Sequence, residues 1–260
     1  LDALLTFSGW LESAPQWISS LPEWLQNVLF QLYQTFIYNN RWTFFADGLK
    51  ITFIVTLGAL AIGVVIGLIV GIVRTAHDTI EPNKRGRLLG FFNGLCNIYL
   101  TVIRGTPMMV QLLIMGFVIM VPKTDSGTIL CGIITLGINS GAYVAEIARS
   151  GIMSIPKGQM EAGRSLGFNY VQTMWKIIIP QAIKNILPAL GNEMITLLKD
   201  TSLVSVIALR DVTKQAQNIV NKTYQAFVPY ISLAVIYLVI VIIMTKLLSL
   251  LERRLRRSDH

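Results

Sequence analysis

The chain has 260 residues, 53% hydrophobic and only 14% charged, with a mean hydropathy of +0.59. A soluble domain carries about 25% charged residues, so this composition excludes an ordinary soluble fold and points to a membrane protein. The net charge of +8 does not argue for nucleic acid, because the basic residues sit in short loops beside apolar runs.

In chain order, residues 1–40 hold Trp10, Trp17 and Trp24 and are cut by Pro15 and Pro22. No piece approaches the roughly 20 apolar residues of a span, so short interfacial helices are expected, with the three tryptophans as interface anchors. The sequence begins at Leu1, not methionine, and no basic n-region of a signal peptide is read there. Leu49–Val73 is the clearest span, with Gly63, Gly67 and Gly71 forming small-xxx-small pairs. Leu88–Val121 would be roughly 50 Å as one helix, too long for a straight crossing. Arg104-Gly105-Thr106-Pro107 divides it: Thr106 is suited to cap and Pro107 to open a new helix at its first position. An interfacial or slanted helix is expected before that break, and a crossing from Pro107 to Val121 after it. Ile129–Arg149 is the next span, with Asn139 and Glu146 as polar residues inside it. Cys96 and Cys131, in apolar stretches without metal spacing, read as buried thiols.

A polar hairpin follows. Pro156 fits a first helical turn, Gly167 the left-handed residue that closes a helix, and Asn169 with Gln172 a capping box. Pro180 is expected to interrupt the second helix. Ile183–Leu198 then crosses, Leu203–Leu209 is too short to span, Asp211–Phe227 reads as interfacial, and Pro229–Leu251 is the last crossing. Five crossings result. Thirteen basic residues fall on the side of the hairpin and the C-terminus, against Lys123, Arg210, Lys214 and Lys222 on the other. The positive-inside rule therefore places the N-terminus outside and the hairpin and C-terminus in the cytoplasm.

The hairpin carries a recognisable spacing. Glu161, Ala162, Gly167, Ile177 and Pro180 resemble the EAA loop of prokaryotic ABC-importer permeases, with Gly163 where that pattern has alanine and Ile179 where it has leucine. Glycine in place of alanine is expected to loosen the first helix by up to ~1 kcal/mol. The runs Tyr99–Pro107, Asn139–Glu146 (NSGAYVAE), Leu187–Glu193 and Lys199–Leu203 (KDTSL) are similar to segments of permeases for polar amino acids, and the likeness spans Leu49 to Leu251. It implies an all-α, polytopic fold of the type I ABC-importer kind with a five-transmembrane-helix core. With the charge count, the chain then divides into an extracytoplasmic interfacial amphipathic segment over 1–48, which the likeness does not reach, a permease domain over 49–251 with a coupling loop at about 153–182, and a basic cytoplasmic tail over 252–260. The likeness implies residence in the bacterial cytoplasmic membrane, a second permease copy (identical or not), two ABC ATPase subunits and an extracellular solute-binding protein. Glu161, Ala162, Gly163, Gly167, Ile177 and Pro180 become the ATPase-coupling residues. Glu161 would pair with a basic residue of the ATPase or cap locally.

For the substrate path, Glu193, Thr196 and Asp200 share one helical face, with Lys199 adjacent. An amino-acid zwitterion needs an anion for its ammonium, which Glu193 or Asp200 could supply. It needs donors for its carboxylate, which Lys199, Thr201 and Ser202 could supply. Asn139 and Tyr143 could line the same cavity. The other reading keeps Lys199-Asp200 as a wetted outer boundary, about 25 Å along a helix from Ile183. Arg104 either reaches the inner interface or pairs with an acid across the bundle. No Gly-x-x-x-x-Gly-Lys-Ser/Thr loop occurs, so ATP and magnesium belong to the partner ATPase, and neither catalysis nor a cofactor is expected in this chain. Two other classes remain in view: an ion-coupled secondary transporter, which would show internal repeats, and a receptor or scaffold without transport.

Overall fold

The computed structural model describes residues 6–80 and 82–257. The first five residues of the 1–48 segment and the last three of the tail therefore lie outside the described residues. Those described form helices and no strands. They are α1 (Phe7–Ser13), α2 (Gln16–Ser19), α3 (Glu23–Leu32), α4 (Trp42–Thr79), α5 (Arg87–Gly105), α6 (Met108–Ile114), α7 (Asp125–Met153), α8 (Lys157–Ser165), α9 (Tyr170–Thr173), α10 (Ile179–Asp200), α11 (Val212–Thr223) and α12 (Phe227–Arg257). Wider π-turns extend α3, α6 and α9, and a 3-10 turn, Thr201–Ile207, follows α10.

Four of these are long and apolar enough to cross a bilayer: Trp42–Thr79, Arg87–Gly105, Asp125–Met153 and Phe227–Leu255. Two placements differ from the sequence expectation. Arg87–Gly105, expected as an interfacial or slanted helix, meets the length and apolarity of a span, whereas Met108–Ile119, where a crossing was expected, is a shorter apolar helix. The 22-residue α10 stays out of this set because Lys184, Asn185, Asn192 and Glu193 dilute its apolar residues. The clearest span also begins earlier than expected, since Trp42 to Gly48 continue the helix into Leu49.

The chain forms two compact units. The first comprises Leu1–Thr52 and Arg210–Ile240. One of its clusters is aromatic: Trp10, Ile18 and Phe30, with Phe7, Leu11, Leu29 and Tyr33 around them. Trp10 is thus a core residue, packed 5.4 Å from Phe30 by ring centroids, and not the interface anchor expected of it. Trp17 and Trp24 are exposed. A second cluster gathers Phe45 against Val212, Ala216 and Ile219. Here α4 and α11 approach so closely that a Cβ on Gly48 would lie 2.7 Å from the Val212 Cα.

Asp211 starts α11 by accepting hydrogen bonds from the amides of Thr213 (3.0 Å) and Lys214 (2.9 Å), while Thr52 Oγ1 accepts from the Val212 amide at 3.3 Å. Burial pushes the Asp211 carboxyl up to about 6, outweighing those amide bonds. A carboxyl raised in the folded state stabilises the fold fully below its unfolded value near ~4 and loses that contribution as pH rises through the folded value. Wild type should therefore lose about 3 kcal/mol between about pH 4 and pH 6. Asp211→Asn keeps a capping oxygen but cannot titrate. Thermal unfolding of both proteins in detergent checks this, and a constant difference across that window would refute it.

The second unit comprises Phe53–Leu209 and Val241–His260. Within it α4 packs closely against α7, and the glycine spacing read from the sequence explains the approach. A Cβ on Gly63 would lie 2.8 Å from Ser140 Oγ, one on Gly67 2.5 Å from Val144 Cβ, and one on Gly71 3.0 Å from Ala148 Cβ. Val70, Leu100, Ala142 and Ala145 form the adjoining cluster, which brings in α5. Close backbone approach lets dispersion hold helices together where lipid removes the hydrophobic drive. Gly67→Leu should therefore separate α4 from α7 and destabilise the protein by about 1–3 kcal/mol or more. An unfolding midpoint equal to wild type in detergent would show that this contact carries no stability.

Candidate coupling and translocation sites

The hairpin is built from local signals. α8 follows Pro156, which occupies the N-cap and so sits one residue outside the helical turn expected for it. The helix closes in a Schellman motif: the Phe168 amide donates to the Gly163 carbonyl (3.1 Å) and the Gly167 amide to that of Arg164 (3.0 Å), with Gly167 at φ +86°. Asn169 and Gln172 make the reciprocal capping box of α9, with bonds of 2.9 and 3.0 Å.

Gly163 has a different role from the loosening expected of it. It is buried, and a Cβ there would lie 2.5 Å from Thr173 Cγ2 and 3.0 Å from Ile177 Cδ1. The missing side chain lets α8 lie directly on the second arm, which tightens the hairpin. Pro180 also differs from expectation. The helical path runs from Tyr170 to Asp200 without a break, because a π-turn over Met174–Ile178 delivers the chain to Pro180 at the start of α10. The wider turn absorbs the amide that proline lacks.

Glu161 and Ala162 are exposed on α8. Glu161 sits mid-helix and makes no local cap. Leu166, Val171 and Trp175 are 76%, 60% and 67% exposed, large apolar groups grouped on one short hairpin. At its base, Arg149 holds Glu146 at 2.6 Å and Asp78 at 3.4 Å, and Asn185 Nδ2 donates to Ser154 Oγ at 2.9 Å.

Of the substrate-path candidates, the structure brings some together and separates others. Ser140 Oγ donates to Glu193 Oε1 at 2.8 Å, tying α7 to α10 through a half-buried bond. The neighbouring Asn139 is buried, and its Nδ2 donates to Gln111 Oε1 at 3.0 Å. Gln111 in turn donates to the Ile103 carbonyl (2.8 Å) and to Thr106 Oγ1 (2.9 Å). Thr106 ends α5 and donates its hydroxyl back to Val102 at 2.8 Å, and Pro107 is the N-cap of α6. The break thus lies where expected, but Gln111 braces it, not a threonine cap on α6. Gln111 and Ser140 were missed as site residues. A lone amide in the apolar run Pro107–Val121 was the available signal.

Tyr143 belongs elsewhere, with its ring under the Arg104 guanidinium at 5.5 Å to the centroid. Thr196 and Lys199 are exposed, and Asp200 is half-buried at the end of α10. Thr201 is fully buried with its hydroxyl donated to the Leu198 carbonyl at 2.6 Å, so it serves the turn after α10. The Ser202 carbonyl accepts from Ser205 Oγ in the same turn.

Apolar helices joined by buried polar side chains, with a capped hairpin at one end, define a polytopic helical membrane protein. The comparisons make this specific. Residues 86–257 match the family described as binding-protein-dependent transport system inner membrane component, and the chain belongs to that family. It is 36% identical to the glutamine transport system permease protein GlnP of Escherichia coli (strain K12), over 81% of this chain and 92% of that one. It is 36% identical to the arginine transport system permease protein ArtQ of Bacillus subtilis (strain 168), over 83% and 94%. A crystal structure of an amino acid ABC transporter with histidines superposes with a TM-score of 0.71 at 44% identity, covering 82% of this chain and 94% of that one. The MetNI methionine ABC transporter, 19% identical with a TM-score of 0.66, shares the fold. The chain is therefore a multi-pass component of the bacterial inner membrane with the type I ABC-importer permease fold.

Proposed function

We propose that this chain is the permease subunit of an ATP-driven importer and forms the path for a polar amino acid. The observation that carries this reading is one continuous helical path from the hairpin to the interior. It runs from the capping box at Asn169, through the π-turn, along α10 to Glu193, which reaches Ser140 of α7. A partner that moves the hairpin would move Glu193 with it. The exposed Leu166, Val171 and Trp175 suit an apolar groove on a cytoplasmic ATPase, and Glu161 a basic residue beside it. Two such ATPases, a second permease copy and an external binding protein complete the assembly in this reading, with the N-terminus outside and the C-terminus in the cytoplasm. Asn139, Glu193, Thr196, Lys199 and Asp200 face the substrate, with Gln111 and Ser140 positioning Asn139 and Glu193. The relatives that transport glutamine and arginine support an amino-acid substrate.

Uptake into proteoliposomes tests the reading. Accumulation of radiolabelled glutamine or arginine should require ATP, the ATPase and the binding protein together. Accumulation driven by an ion gradient without them would assign the chain to secondary transport.

A further inference from the structure

The hairpin end of the second unit contains a cavity that neither site above uses. Its volume is about 480 Å³, and Arg74 of α4, Asn97, Thr101 and Arg104 of α5, and Glu146 of α7 line it. Glu146 offsets only part of the charge of the two arginines. Its carboxylate is hydrogen-bonded to Arg149, through Nη2 at 2.6 Å and Nε at 3.2 Å, and Arg149 also meets Asp78 at 3.4 Å. Arg74, Arg104 and Arg149 thus face Glu146 and Asp78, and the positive charge left over is one that a bound anion balances.

The donors are also incompletely used. Arg74 Nη1 donates to Asn97 Oδ1, but the Arg74 Nε is buried without a partner. A buried N–H left unpaired is costly, and an acceptor drawn to the Arg74 guanidinium would offset that cost. Arg104 lies over the Tyr143 ring, a cation–π contact that uses none of its N–H groups as conventional hydrogen-bond donors to an oxygen. The Asn97 amide and the Thr101 hydroxyl add neutral donors on the same wall. A tetrahedral oxyanion, whose oxygens diverge, suits donors converging from two helices.

The cavity lies among α4, α5 and α7, all long and apolar enough to cross a bilayer. Arg74 is five residues before the end of α4, about 8 Å along the axis, a depth suited to lipid headgroups. Basic pockets between membrane helices on the cytoplasmic side hold anionic headgroups. We propose that this cavity binds the phosphate of an anionic phospholipid drawn from the leaflet on the hairpin side.

Full-length protein in nanodiscs of phosphatidylcholine, with and without phosphatidylglycerol, provides the test. Phosphatidylglycerol should raise the unfolding midpoint and stay bound in native mass spectra. Arg74→Gln with Arg104→Gln should cut that retention about tenfold, and lysine at both positions should recover part of it. Arg104→Gln alone, at an exposed position, serves if the double variant does not fold, and should show a smaller loss in the same direction. Inorganic phosphate added to phosphatidylcholine nanodiscs should give no shift. A shift equal to that from phosphatidylglycerol would overturn the lipid assignment in favour of soluble phosphate. Equal lipid retention by wild type and the glutamine variants would overturn the site altogether.

Discussion

Gly163→Leu is expected to cut ATP-dependent uptake about tenfold or more while the protein still inserts into the membrane. The reason is the spacing of the two arms. A single Cβ at position 163 would already lie 2.5 Å from Thr173 Cγ2, and a leucine would press further into Thr173 and Ile177. Overpacking of this kind costs about 1–3 kcal/mol, and each 1.4 kcal/mol is a tenfold change in an equilibrium. The hairpin relieves the clash by lifting α8 away from the second arm, which breaks the packing of Gly163 on Thr173 and Ile177. The partner ATPase would then push on a lever that yields. Its basal hydrolysis should be unchanged and its stimulation by the binding protein and substrate lost. Gly163→Ala should act in the same direction with a smaller effect, and Thr173→Ser should relieve it. That change removes the methyl in the way and keeps the hydroxyl that donates to the Asn169 carbonyl at 3.0 Å. Rescue by Thr173→Ser in a double-mutant cycle separates this contact from a general loss of helix propensity. Normal substrate-stimulated hydrolysis in Gly163→Leu would overturn the coupling role of the hairpin.

Which features could be read from the sequence depends on how far apart the interacting groups lie along the chain. The Schellman turn at Gly167 and the capping box at Asn169 are written within six residues, so residue identity specifies them directly. The α4 glycines are nearly as readable, because close helix approach demands small side chains at helical spacing. The break at Arg104–Pro107 follows from length and proline alone. The role of Gly163 could not be read, since its meaning lies in Thr173, on the other arm. Local propensity therefore suggested a loosened helix where the packing shows a tight one. Pro180 misled for a related reason: a π-turn over the preceding five residues accommodates the missing amide, and no composition signals a wider turn. The pairs Asn139–Gln111 and Ser140–Glu193 join residues 28 and 53 positions apart. In each case the sequence offers one polar residue in an apolar run and says nothing of its mate.

Glu193→Gln should reduce uptake by about 30-fold or more, with little effect on folding. Glutamine keeps the shape of glutamate and an oxygen that can accept from Ser140 Oγ, so the α7–α10 tie at 2.8 Å can persist. What disappears is the negative charge, which in the proposed path answers the ammonium of the amino acid. Losing one member of a desolvated charge pair costs about 2–5 kcal/mol, and 2 kcal/mol is roughly 30-fold. Ser140→Ala removes the hydroxyl and keeps the charge, so its effect should be smaller, about tenfold. Uptake that survives Glu193→Gln but not Ser140→Ala would invert this order and make the pair a structural clamp. Asp200→Asn extends the comparison two helical turns along α10. If Asp200 contacts substrate, its loss resembles that of Glu193. If it marks a wetted boundary, transport and affinity are unchanged, and the charge at Glu193 alone must hold the ammonium inside the membrane.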